Sequence, residues 1–346
     1  MRYFVLVGVI STAVVAWTGF WFYTAGLVEA DLLRRAEQNS ETNSTGAHLS
    51  YGSYDIGGFP YRIQVTLNKP TIILRNQAQP MRWRTDQIKA VGHPWQPRHV
   101  LFDLTGTHHF EVEVDGQWRC FELSSETAMA SVETDAQGAL QRLSLDLKNI
   151  LAKHLGADAL RGQRLQVHSR PTPGGTNSLD IALRGDALEL IREGLPELSI
   201  KRLPKTITLL DLQSTVTEMA AAGTELAGGL PQWREQGGTV EVDKLRLQWR
   251  DVDITATGSL ALDDQMRPIG ALTAKIKGHE ELLQMAVANG GMDEEKAAIA
   301  RAVLGLLAVA GGGVLSVPVR LQDGLLYLGP AAIARLAPIM VPGRIN

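Results

Sequence analysis

Four of the eight histidines, His93, His99, His108 and His109, fall between positions 93 and 109, which makes this segment the first place to look for metal or acid–base chemistry. If Thr107–Val114 is a strand, His108 shares a face with Phe110, Val112 and Val114, and His109 shares the other with Glu111 and Glu113. The adjacent histidines then point apart and cannot both serve one ion. His109, Glu111 and Glu113 do line one face, a possible carboxylate–imidazole set. Their spacing matches no recognised zinc pattern, and a polar solvent face explains them more simply. The expectation is no metal and no other cofactor.

Other chemistry leaves as little trace. There is no Gly-x-Ser-x-Gly elbow, no phosphate-binding Walker loop, and no Gly-x-Gly-x-x-Gly opening a helix after a strand. Gly311-Gly312-Gly313 follows a helical stretch and so caps it. Asp263-Asp264 sits at a turn, where Asp bonds its own backbone. One cysteine, Cys120, excludes an internal disulfide framework and a cysteine zinc site. A net charge of −3 gives no bias towards polyanions, so nucleic acid is not a suggested partner. No catalytic residue is nominated, and the chain reads as a non-enzyme.

What the sequence does announce is an address. From Tyr3 to Leu27 there is no Asp, Glu, Lys, Arg or His, a run longer than the ~20 residues a helix needs to cross a bilayer. Phe4, Leu6 and Ile10 would face lipid, and Trp17, Phe20, Trp21 and Phe22 cluster where an interfacial aromatic belt belongs. Thr24-Ala25-Gly26 is a weak cleavage site after bulky side chains, so a retained signal anchor is preferred to a removed signal peptide. A short basic N-terminus predicts a single-pass protein of a bacterial inner membrane, with its large C-terminal body in the periplasm. Residues 1–28 are thus the transmembrane anchor, 29–50 a charged helix and polar hinge, and 51–346 the body, divisible into coupled halves at 51–160 and 161–346.

Within the body the period of two dominates. Tyr61, Ile63, Val65 and Leu67 alternate with Arg62, Gln64 and Thr66 after a Gly57-Gly58-Phe59-Pro60 turn. Further strands are expected at 71–75, 87–92, 98–104, 107–114, 117–123, 128–133 and 140–147, with Asp115-Gly116 as a tight hairpin. Later ones are expected at 165–169, 178–184, 206–216, 239–249, 252–262, 269–277, 314–321 and 325–328. Helices are expected at 185–193, 218–227, 280–289 and 293–310, and from Pro330 through Leu336. Asp180–Leu190 and Thr273–Leu283 look like a weak repeat, each a strand ending in a basic residue and Gly before a helix. The fold class is α+β and strand-dominated: a transmembrane helix, then curved antiparallel sheet with helices packed on one face.

The stretch Ala297–Ala310 is interrupted by Arg301 alone. A helix apolar all round, with Ile299, Val303, Leu306 and Leu307 among its larger side chains, is buried or meets lipid. A core helix beneath the sheet is the simpler reading, and a shelter for an acyl chain overlaps with it.

Gly57-Gly58-Phe59-Pro60-Tyr61-Arg62, the block Gly258–Asp263, Arg267-Pro268-Ile269-Gly270, Lys277-Gly278 and the closing Asp323–Pro330 together resemble the alphaproteobacterial envelope proteins catalogued as domain of unknown function 2125. A looser likeness is to AsmA-like envelope proteins, which join an N-terminal anchor to a long β-rich body. The first resemblance implies an anchored envelope protein and carries no catalytic residue. The function expected is that of an anchored periplasmic protein that binds lipid or another apolar ligand, or supports envelope assembly with a protein partner. A purely structural scaffold is the alternative, and an envelope hydrolase a more distant one.

Overall fold

The uncharged run forms a single helix, α1 (Arg2–Gln38), of 37 residues. It continues unbroken through the charged segment, where Arg34 and Arg35 reach back to Asp31 at 3.3 and 2.8 Å. The structure, a computed structural model, describes residues 2–38, 47–74, 80–114, 117–191, 205–219, 229–288, 293–310, 314–329 and 331–339. Most of the expected hinge lies outside these residues, but its end does not: Ala47–Ser50 is a strand, β1, paired with Thr71–Leu74.

Eight short strands come first: β1, β2 (Ser53–Gly57), β3 (Ile63–Asn68), β4 (Thr71–Leu74), β5 (Met81–Thr85), β6 (Gln87–His93), β7 (Gln96–Asp103) and β8 (Gly106–Val114). They meet on β9 (Gln117–Thr134), an 18-residue strand where alternation alone predicts two. The first half of β9 pairs with β8, and the chain of pairings runs on through β5 and β4 to β1. Its second half pairs with β7, and that branch runs through β6 and β3 to β2. On its other side β9 pairs with β10 (Leu140–His154) along nearly its whole length.

From there the sheet adds strands in order of sequence. β11 (Ala157–Pro171), β12 (Leu179–Leu190), β13 (Thr206–Val216), β14 (Val240–Trp249), β15 (Val252–Leu262) and β16 (Pro268–Lys277) lead to β17 (Leu315–Gln322), β18 (Leu325–Leu328) and β19 (Ala331–Arg335). All pairings are antiparallel and the result is one 19-stranded sheet. β11 crosses position 160, so the sheet is continuous there. Among the described residues three helices interrupt the later strands: α2 (Gly229–Glu235), α3 (His279–Ala288) and α4 (Glu294–Ala310).

Two expected helices are strands. Residues 185–190 continue β12 and pair with both neighbours on either side of Ala187, whose φ of +50° puts Leu188 on the same side of the sheet as Gly185. Residues 331–335 form β19 on the free side of β18, whose unpaired backbone groups satisfy those of the incoming chain. The helix expected at 218–227 falls mostly outside the described residues, and α2, which begins at Gly229, has no counterpart among the expected helices.

Register turns the alternation into two continuous faces. One row runs Leu147, Leu165, Gly185, Leu210, Leu247, Ile254, Ile276, Leu315, one residue per strand from β10 to β17. The next runs Leu145, Val167, Leu183, Leu212, Leu245, Ala256, Ala274, Val317. Between them, pointing the other way, runs Asp146, Gln166, Arg184, Asp211, Arg246, Thr255, Lys275. The sheet therefore has a dry face and a wet one.

The dry face is covered towards the C-terminal end, where Leu283 of α3 and Ala297 and Leu304 of α4 join Ala256, Ala274, Ile276, Leu315 and Val317 in the main core. Trp233 of α2 caps a second cluster with Leu262 and Met266 and donates its indole N–H to the Thr217 carbonyl at 2.7 Å.

Candidate functional site

The histidine segment resolves into structural contacts. His108 is buried: Trp83 Nε1 donates to its Nδ1 at 3.1 Å, and its Nε2 lies against the Leu104 carbonyl. His109 faces Glu122 at 3.8 Å, while Glu111 lies between Arg82, at 2.7 Å, and Arg84. Glu111 is thus committed to two guanidinium groups, and among the described residues no three His, Cys, Asp or Glu side chains form a set that could hold a metal.

Two serine–histidine pairs on the strands leave no mark in the local sequence, because cross-strand register creates them. His99 Nε2 meets Ser131 Oγ at 2.9 Å and His168 Nδ1 meets Ser144 Oγ at 3.0 Å. Glu133 lies 3.9 Å from His99, but at the same Nε2 that meets the serine. A nucleophile–base–acid relay needs the acid on the other ring nitrogen. A depression of about 460 Å3 between the β15–β16 and β17–β18 turns holds Asp263, Ile269, Ala271, Arg320 and Asp323. Asp263 there is engaged by the Arg267 side chain and by backbone N–H groups of Gln265 and Arg267.

The wet face is held by charge pairs. Arg164 grips Asp146 with two bonds of 2.8 Å, and those bonds hold the Asp146 carboxyl below the usual range. Arg246, with help from Gln248, does the same to Asp253.

The arrangement with the most consequence joins α1 to the body. Gly58, at φ +99°, makes the turn after β2; a Cβ there would lie 2.7 Å from the Arg62 carbonyl oxygen. This turn presents backbone acceptors to the helix. Trp17 Nε1 donates to the Pro60 carbonyl at 3.0 Å and Trp21 Nε1 to the Arg62 carbonyl at 2.9 Å. Trp21 is 4% exposed and packs with Ala25 and Ile63, flanked by Val28 and Ile56. Further along α1, Tyr54 donates to Glu29 at 2.7 Å, a bond that pushes the Tyr54 phenol up. Residues 17, 21, 25 and 28 lie on one side of a helix.

The anchor residues thus divide. Trp17 and Trp21 face the body, while Phe4, Leu6, Ile10, Phe20 and Phe22 are not buried by it. Composition makes the seven a single membrane-facing set, and no local pattern separates two tryptophans that bind carbonyls some forty residues on.

In α4, Ala297 is fully buried and Ile299 is 62% exposed. The helix lays its Ala297–Leu304 side on the sheet and turns Ile299 outward. Val303, Leu306 and Leu307 belong to α4, and their side chains lie outside the described residues.

A helix long and apolar enough, by length and composition, to cross a membrane, fixed to a strand-dominated body with one dry face, defines the class. The chain belongs to the family of uncharacterized proteins conserved in bacteria, DUF2125, whose family model matches residues 21–337. No curated protein matches it.

Proposed function

We propose that the chain is a single-pass protein of a bacterial inner membrane, with α1 retained as its anchor and the body in the periplasm. In this reading it is not an enzyme, and it binds lipid or another apolar ligand, or an envelope partner, on the dry face of its sheet. The observation that carries the reading is the indole clamp: Trp17 and Trp21 belong to the apolar helix and yet complete the body's own packing. Cleavage at Thr24-Ala25-Gly26 would remove both indoles and take Trp21 away from Ile63 and Ile56.

The ligand reading draws on the apolar rows. Side by side they cross eight strands, and among the described residues α3 and α4 join the core at the β15–β17 end. Val167, Leu183 and Leu212, further along, are half-buried. An acyl chain laid across such a row would lose water-exposed apolar area on both partners, at ~25 cal/mol per Å2.

The test is photo-crosslinking in intact membranes with a phospholipid bearing a diazirine in its acyl chain. Label on peptides containing Val167, Leu183 or Leu212 supports lipid on the dry face. Label confined to α1 overturns that part and leaves the anchor. A chain whose N-terminal mass begins after Gly26 overturns the anchor itself.

A further inference from the structure

The clamp also sets a depth. Measured from Arg2, ~20 residues at 1.5 Å each cross a hydrocarbon core of ~30 Å, so the far boundary falls near Phe22. The body takes hold of α1 before that point. Trp17, only about 15 residues and roughly 23 Å from Arg2, already bonds the Pro60 carbonyl and lies 5.7 Å from the Trp95 ring. A tilted helix crosses less depth per residue and brings the grip deeper still. The β2–β3 and β6–β7 turns must then lie within the interfacial layer of the bilayer.

Their side chains suit that layer. Phe59 is 50% exposed, Tyr61 70% and Trp95 52%. They are large aromatics at turn tips, where a body surrounded by water gains nothing from showing them. Phe59 stacks on the exposed Phe22 of α1 at 6.1 Å, so this surface is continuous with the helix. His93 stacks on Trp95 at 4.7 Å and its Nδ1 meets the Tyr61 carbonyl at 3.1 Å, which ties the two turns together. Exposed Arg62 adds a cation at headgroup level.

We propose that Phe59, Tyr61 and Trp95 form a membrane seat: they insert at the headgroup–acyl boundary of the leaflet from which α1 emerges, so that lipid covers them and the body rests on the bilayer. This rests on the reading of α1 as a membrane span, and the test separates the two.

Full-length protein is reconstituted in phosphatidylethanolamine–phosphatidylglycerol vesicles carrying a nitroxide on the lipid near the headgroup, and a bimane label is placed by single cysteines. The far control is wild-type Cys120, exposed near the start of β9 and about 45 Å along that strand from the end nearest Trp95. In a Cys120→Ser background, Tyr61→Cys probes one turn, Gln96→Cys probes the other with Trp95 intact, and Val9→Cys probes the span. The seat requires quenching at 61 and 96 several-fold stronger than at 120. Strong quenching at 9 with 61 and 96 no different from 120 overturns the seat and leaves the span. Weak quenching at 9 overturns both. A misfolded Tyr61→Cys variant does not rescue the idea, because Gln96→Cys alters only an exposed polar side chain.

Discussion

Asp180–Leu190 and Thr273–Leu283 run alike up to a basic residue and a glycine, then part. After Gly185 the chain stays in the sheet: Asp186 opposes Arg164 and Leu209, and Leu188 opposes Ile207. After Gly278 it leaves the sheet and becomes α3. Gly185 makes room, since a Cβ on it would lie 2.6 Å from Leu188 Cδ1. Gly278 makes a bend, at φ +79° and with the Asp251 carbonyl 2.7 Å from where a Cβ would be. The residues after each glycine decide between the two outcomes. Ala187, at φ +50°, sets Leu188 over Gly185 while the strand goes on, whereas Glu280 and Glu281 suit a helix N-terminus and Leu283 and Val287 recur at one helical turn. A glycine after a strand says only that something other than a side chain is needed there.

The comparison can be broken by substitution, and Leu283→Ala should do most. Leu283 is fully enclosed between α3 and the sheet, and its loss should cost about 3–4 kcal/mol in urea unfolding of the full chain. Gly278→Ala should come next at roughly 2–3 kcal/mol, because both a left-handed φ and a backbone oxygen oppose the new methyl. Gly185→Ala should cost less, about 1–2 kcal/mol, since the obstacle is a leucine branch. Its signature is non-additivity: with Leu188→Ala already present, Gly185→Ala should cost close to nothing. An equal cost in both backgrounds would show that Gly185 serves the backbone after all.

The smallest effect is electrostatic and carries a sign. Asp146, two strands from Gly185 in β10, and Asp253, opposite Lys277 just before Gly278, are both held below the usual carboxylate range, chiefly by arginine hydrogen bonds. A group with a lowered folded pKa stabilises above its unfolded value near ~3.9 and loses that contribution as pH falls through the folded one. Asp146→Asn and Asp253→Asn should each cost at most about 1 kcal/mol at pH 7, since the pairs are part-exposed. The difference from wild type should shrink below about pH 4, as thermal melts across pH would record. A gap that persisted in acid would mean that shape, not charge, holds these residues.

Much of the sheet is legible in the sequence because its later turns are chemically marked. β13, β15 and β18 have the bounds that alternation and turn residues predict, and β14, β16, β17, α3 and α4 differ by a residue or so. The earlier strands are harder for physical reasons. β5, Met-Arg-Trp-Arg-Thr, carries two arginines on a face that pairs with Glu111, so its sequence does not look like a strand until its partner is known. In β9 the polar residues Ser124–Thr127 read as a break, although their backbones pair with neighbouring strands. The candidate site is legible only in part. Composition exposes an anchor, but an indole's choice of a carbonyl far along the chain has no local signature.

The order of strand pairing also says where assembly is costly. From β9 to β19, neighbours in the sheet are neighbours in sequence, so each addition closes a short stretch of chain or one bridged by its own helices. The pairings of β1 with β4, β3 with β6, β5 with β8 and β7 with β9 all skip over intervening strands, and all precede residue 135. Loop-closure entropy is therefore concentrated in the first part of the body, where non-local contacts slow folding most. The clamp acts at the head of that region. Through Trp21 it ties the Arg62 carbonyl, at the start of β3, to α1, so the strand whose partner β6 lies beyond two others is also held from its other end.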